Sequence, residues 1–175
     1  MTREQLEHVL RAAAAIANEN SMVVVGSQAV LLPFPNAPAA LLMSREVDLY
    51  PALHPERSDL IDGAIGALSS FDETFGYHAD GVGPETAVMP ADWMLRSSFH
   101  YIGELTAICP EIHDLAVSKA VAGRDKDADF VRILLKEKMI DIETLQTRIR
   151  CLDAARYPLD FILAWARRRA FEAAA

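Results

Sequence analysis

Leu6, Val9, Leu10, Ala13, Ile16 and Ala17 recur with a period near 3.6, and that spacing predicts an amphipathic helix over residues 3–19. Residues 22–25 form a short, mostly β-branched run stopped by Gly26, the pattern of a buried strand. Residues 27–32 then have helical character until Pro33, and 33–40 is a Pro-rich loop. Between Glu46 and Tyr50 polar and apolar positions alternate, and Pro51 bounds them, which predicts a half-buried strand. Leu60, Ile61, Ala64, Ile65 and Leu68 mark a second helix starting near Pro55. Residues 70–108 have no 3.6 period; short apolar or aromatic pieces at 75–78, 86–89, 99–102 and 105–109 predict two or three further strands.

From residue 111 onward the pattern is helical. One helix runs to Ala122 and stops at Gly123, and the next covers 125–138 with Phe130, Val131, Leu134 and Leu135 inward. A third starts from an Asp141 cap and continues through Ile142, Leu145, Ile149 and Leu152. The last spans 158–172 with Phe161, Ile162 and Trp165 inward. The order predicts an α+β (mixed α/β) fold: an α/β core over 1–109 and a C-terminal helical subdomain over 110–175 packed on it.

Composition narrows the class. The chain has 175 residues, 51% of them hydrophobic, enough to bury a core and too many for a disordered chain. The longest uncharged stretch, 20–44, is interrupted by Gly26, Pro33, Pro35, Asn36 and Pro38, so no membrane span is expected. Glu4 and Glu7 beside Arg3 and Arg11 are unlike a signal peptide, and a cytoplasmic protein is expected. Cys109 and Cys151 have no CxxC partner and read as reduced core residues. The five histidines never pair at i, i+3 or i, i+4, which argues against a His/Cys zinc site. Residues 1–90 hold 4 Lys+Arg against 12 Asp+Glu, whereas 91–175 hold 13 against 13. So acidic a first half argues against nucleic acid wrapping the whole surface and suits carboxylates that hold a cation.

Two constellations carry candidate chemistry. In Val25-Gly26-Ser27 a strand ends in a turn that offers backbone N–H groups and a hydroxyl, a seat for an anion. In Ser44-Arg45-Glu46-Val47-Asp48-Leu49 the strand period puts Glu46 and Asp48 on one side and Val47 and Leu49 on the other. Paired carboxylates repel one another unless a cation lies between them, and Mg²⁺ or Mn²⁺ is the natural resident.

A Gly-Ser turn about 20 residues ahead of such a strand resembles the core of the nucleotidyltransferase superfamily, with its hG[GS] turn and [DE]h[DE]h strand. Ser44, two places before the first acid, is similar to the Ser/Thr of the AbiEii-toxin-like branch. Pro110 to Lys119 resembles that branch's P-x-D-L-x-x-x-K helix, and Arg124-Asp125-Lys126-Asp127 its R-x-K-D segment. The likeness covers roughly residues 20–135 and is nearest to the stand-alone bacterial members, some from toxin–antitoxin or phage-defence systems. It implies a small mixed sheet flanked by helices and transfer of an NMP from an NTP to a tRNA, protein or small-molecule acceptor. By the resemblance Gly26 and Ser27 bind nucleotide, Glu46 and Asp48 hold the metal, Lys119 contacts the triphosphate and Asp127 lies at the catalytic site. It also implies an antitoxin or operon partner, with a catalytically inactive binding protein as the alternative.

The sequence departs from the family's pattern at two points. Glu46 stands where the first acid is more often Asp. No motif marks the third carboxylate, for which Glu73, Asp80 and Glu104 are the candidates. Residues 76–83 read as a loop that would cover a nucleotide, and Arg96 as the partner of an acid or a phosphate. Arg167-Arg168-Arg169 reads as a helix end, or as an RNA-contacting tail.

Overall fold

The computed structural model describes residues 1–175, which divide into two compact units: 1–86 with 97–110, and 87–96 with 111–175. The fold is mixed α+β, with a five-stranded mixed sheet and seven α-helices.

The first unit holds the sheet. Its strands are β1 (Ser21–Val24), β2 (Glu46–Pro51), β3 (His78–Gly81), β4 (Ser98–Ile102) and β5 (Leu105–Cys109), in the spatial order β3-β2-β1-β5-β4. β1 pairs antiparallel with β2 and parallel with β5, and β2 pairs parallel with β3. β4 and β5 form a hairpin through Gly103, whose φ of 65° suits a residue without a Cβ.

Helix α1 (Arg3–Ala17) starts from a capping box between Thr2 and Gln5, ends in left-handed Asn18, and buries Leu6, Val9, Leu10 and Ala13. It packs against β1, β2, β3 and β5, while α2 (Ser58–Ile65) packs on β2 and β3. Any Cβ on Gly81 would strike the backbone of Ser58, so glycine lets α2 approach β3. By alternation Ala79 shares that covered face, as do its register partner Val47 and Leu49, and all three are fully buried. The other face of the same strands carries Glu46, Asp48 and Asp80.

Three sequence expectations for residues 70–108 are corrected. The aperiodic stretch contains a helix, α3 (Ser70–Phe75), which six residues are too few to show as a period; Ser69 caps it by accepting from Asp72 N, and Gly76 closes it at φ 74°. Residues 86–89 form no strand. Residues 76–83 are not a covering loop: they hold edge strand β3, whose His-Ala-Asp-Gly sequence has poor strand propensity and is fixed by pairing with β2.

The second unit is helical. It comprises a 3₁₀ turn (Trp93–Arg96), α4 (Ile112–Ala122), α5 (Asp125–Lys136), α6 (Ile142–Arg150) and α7 (Leu159–Ala174). Gly123 closes α4 at φ 63° and Asp141 caps α6 by accepting from Thr144 N. Leu115, Val131, Leu134, Leu145, Ile149, Ile162 and Ala166 form its core. Phe161, expected inward, is 70% exposed, because the buried stripe of α7 runs through Ile162, Leu163, Ala166 and Arg169. Nor do the three arginines end that helix; Arg169 is buried, donates to Glu172 and lies over the Trp165 ring.

Candidate active site

β1 runs into the Gly-Ser turn and holds its register just beyond the strand end, where Val25 N donates to Asp48 O at 3.0 Å. Gly26 follows at φ −75°, ψ −173°, a conformation open to any residue. Its requirement for glycine comes from space: a Cβ there would collide with the carboxylate of Asp48. The two motifs, 20 or so positions apart in sequence, therefore meet at van der Waals distance across the β1–β2 pair. Ser27 is half-buried and opens a five-residue 3₁₀ helix (Ser27–Leu31), where the sequence predicted a longer helical turn. Pro33 limits its length.

Ser44 fixes the entry to β2. Its hydroxyl accepts from Glu46 N at 3.1 Å and donates to Glu46 O at 3.4 Å, a local turn that sets the register in which Glu46 and Asp48 share a face. In the parallel pair, Asp48 stands opposite Asp80 and Glu46 opposite His78. Opposed residues project to the same side, so Asp80 joins the two acids on the face turned away from α2. Burial, then the charges of Asp62 and Glu46, push the Asp80 carboxyl above the ordinary aspartate range. Of the other candidates for a third carboxylate, Glu73 is exposed on α3 and Glu104 is exposed in the β4–β5 turn. Tyr50 continues the same face; burial and the nearby Glu85 charge push its phenol up to about 12, so it stays protonated.

Next to Ser27 sits a feature that the linear pattern does not mark. Gln28 is fully buried, and neither atom of its amide has a hydrogen-bond partner. Leaving such a group unsatisfied costs about 1–3 kcal/mol. The signal was a lone amide side chain in an otherwise apolar turn.

Hard oxygen donors dominate this face, as Mg²⁺ or Mn²⁺ requires. No group of three or more His, Cys, Asp or Glu side chains is gathered closely enough to form a metal cage by itself. Mg²⁺ characteristically takes one or two carboxylates and completes its shell with water and substrate phosphate. Glu46 and Asp48 fit that mode of binding.

The helical unit brings Lys119 and Asp127 together. Lys119 Nζ lies 3.7 Å from Asp127 Oδ1 and 5.8 Å from the Phe130 ring centroid. Asp127 also accepts from Arg124 Nε at 2.6 Å, and from Arg124 N at 3.2 Å, which anchors the start of α5. Both Lys119 and Asp127 are buried. The choice left open for Arg96 resolves to acids: it donates to Asp92 (2.6 and 2.9 Å) and to the fully buried Asp114 (2.7 and 3.1 Å). Asp114, the acid of the helix motif, is thereby a structural group.

A β-strand, Gly-Ser turn and acid-bearing neighbour strand in a small mixed sheet define the nucleotidyltransferase class. Residues 4–165 match the family model described as nucleotidyltransferase of unknown function (DUF6036), and the chain belongs to that family. No curated protein and no solved structure matches it. No helix is long and apolar enough to cross a membrane.

Proposed function

We propose that the protein transfers an NMP from an NTP to an acceptor hydroxyl at the face of β2 and β3 that carries Glu46, Asp48 and Asp80. The observation that supports this reading most directly is the packing of Gly26 against the Asp48 carboxylate, which puts a phosphate seat and an acid pair side by side. Gly26 and Ser27 hold phosphate oxygens through backbone N–H and hydroxyl donors. Glu46 and Asp48 would hold Mg²⁺ or Mn²⁺, which supplies charge neutralisation for the attacking and leaving oxygens. Asp80 is assigned as the acceptor's general base, because it stands opposite Asp48 on the same face and its carboxyl is held above the ordinary aspartate range by burial and then by Asp62 and Glu46. The acceptor oxygen forms its bond to the α-phosphorus, the bond from that phosphorus to the bridging oxygen breaks, and pyrophosphate leaves. The hydroxyl proton passes to Asp80. Lys119 is assigned to the triphosphate charge on the resemblance of its helix to the toxin-like branch, with Asp127, 3.7 Å away, as its orienting partner.

The test is transfer of label from α-labelled NTPs to total RNA and protein, comparing wild type with Glu46→Gln, Asp48→Asn and Asp80→Asn. Metal-dependent incorporation by wild type, lost in Asp48→Asn, is the expected result. A protein stabilised by NTP and metal that incorporates nothing would instead be a binding descendant of the family. Incorporation that persists unchanged in Asp48→Asn would overturn the site.

A further inference from the structure

β4 is the outer strand at the end of the sheet away from the acids. Natural edge strands are blunted by lysine, proline, bulges or a covering element. β4 carries no lysine, no proline and no bulge. Its sequence is Ser-Phe-His-Tyr-Ile, it pairs with β5 without a bulge from Ser98↔Cys109 to Ile102↔Leu105, and no backbone hydrogen bond reaches it from its outer side. The opposite edge, β3, is shorter and carries Asp80 and His78, the latter beside Asp72 of α3. On β4 Phe99 is 51% exposed and Tyr101 77%. Two residues apart, they stand on one face as an open aromatic pair. Such a strand is a template for a further strand.

Charge decides which strand fits. Residues 1–86 and 97–110, which contain the whole sheet, hold 4 Lys+Arg against 13 Asp+Glu. A second copy docking edge to edge would bring two such units together against their mutual repulsion. Close to the strand, Glu104 sits in its turn. Arg3, which acts on His100, is already engaged by Glu7 and by the carbonyls of Leu31 and Leu32. An incoming cation gains from the field of the unit and from the ring faces of Phe99 and Tyr101.

We propose that β4 is a docking strand for an extended basic segment of a partner polypeptide, which adds to the sheet with Lys or Arg side chains against Phe99 and Tyr101. This surface is independent of nucleotide transfer.

The probe is a labelled peptide of alternating Lys and Val, titrated against the full chain by anisotropy and followed by amide hydrogen exchange. Three controls are alternating Glu-Val, alternating Lys-Pro with the same charge but no ladder donors, and an oligouridine. The Lys-Val peptide should bind and slow exchange at β4. The Phe99→Ser/Tyr101→Ser variant should weaken it about tenfold or more at unchanged Tm, and Tyr101→Ser alone should do so in part. Equal binding of Lys-Pro, no added protection of β4, or affinity indifferent to both variants overturns the proposal. So does a dimer that Tyr101→Ser dissociates, which would make the occupant a second copy. Oligouridine binding lost in the double variant would make it a nucleic acid.

Discussion

Gly26 and Asp48 touch because neither leaves room for a larger neighbour: the Cα of the glycine lies where a methyl group would strike the aspartate carboxylate. The backbone at Gly26 is ordinary, so the glycine is kept by its partner on β2 and not by its own φ and ψ. Gly26→Ala should therefore destabilise the fold by about 1–3 kcal/mol, as overpacking does. Gly26→Ala/Asp48→Ala should regain most of that stability while remaining inactive. Urea denaturation of both variants and a transfer assay read the two effects separately, and a double variant no more stable than the single would show that backbone strain was the cause.

Asp80 makes stability depend on pH with a definite sign. Its carboxyl is held above the ordinary value, first by burial and then by Asp62 and Glu46. The folded state consequently binds the proton more tightly than the unfolded chain. Stability is greatest below the ordinary aspartate pKa and declines as pH rises through the raised one. Asp80→Asn should remove this slope and raise Tm at neutral pH by a small amount, on the order of 1–2 °C. Mg²⁺ should stabilise wild type more than Asp80→Asn. Thermal melts across pH 3 to 8 with and without metal test this (pH range about that of carboxylate titration), and a wild-type slope identical to that of the variant would remove Asp80 from the acid cluster.

Lys119 offers a clean separation of fold from function. Asp127 keeps its bonds from Arg124 when the lysine is lost. Lys119→Met keeps an unbranched side chain of similar length, removes the cation that lies 5.8 Å from the Phe130 ring centroid, and should change stability by no more than about 1 kcal/mol. Its expected effect is on nucleotide, a KM for NTP raised about tenfold or more with Tm little changed. A variant with wild-type KM would return Lys119 to a structural role.

Arg96 should behave in the opposite way, mattering to the fold alone. Its guanidinium joins the turn at 93–96 to fully buried Asp114, with Arg148 3.7 Å from the same carboxylate. These bonds raise the arginine pKa still further and lower that of Asp92. Arg96→Ala leaves Asp114 with a buried, poorly compensated charge and should cost about 3–5 kcal/mol. Arg96→Leu/Asp114→Leu should recover much of it. Chemical denaturation measures both; a loss under about 1 kcal/mol for Arg96→Ala would mean that Arg148 suffices.

Local pattern was enough to fix the helices whose apolar stripe is several turns long, α1, α5 and α6, together with the Asp141 start of α6 and the Gly123 stop of α4, because period and capping are properties of contiguous residues. Alternation likewise put Glu46 and Asp48 on one face of a strand, since a period of two needs only the strand itself. The sequence could not show β3: His78 to Gly81 is a strand only because β2 supplies hydrogen bonds that its own side chains would not demand. That pairing alone singled out Asp80 from Glu73 and Glu104, by bringing it opposite Asp48. The partner of Arg96, the unsatisfied amide of Gln28 and the shift of the α7 stripe away from Phe161 belong to the same kind. Each depends on which distant backbone or charge arrives beside the residue, and such arrivals are decided by packing, where burial and pairing energies outweigh the local preferences that a linear pattern records.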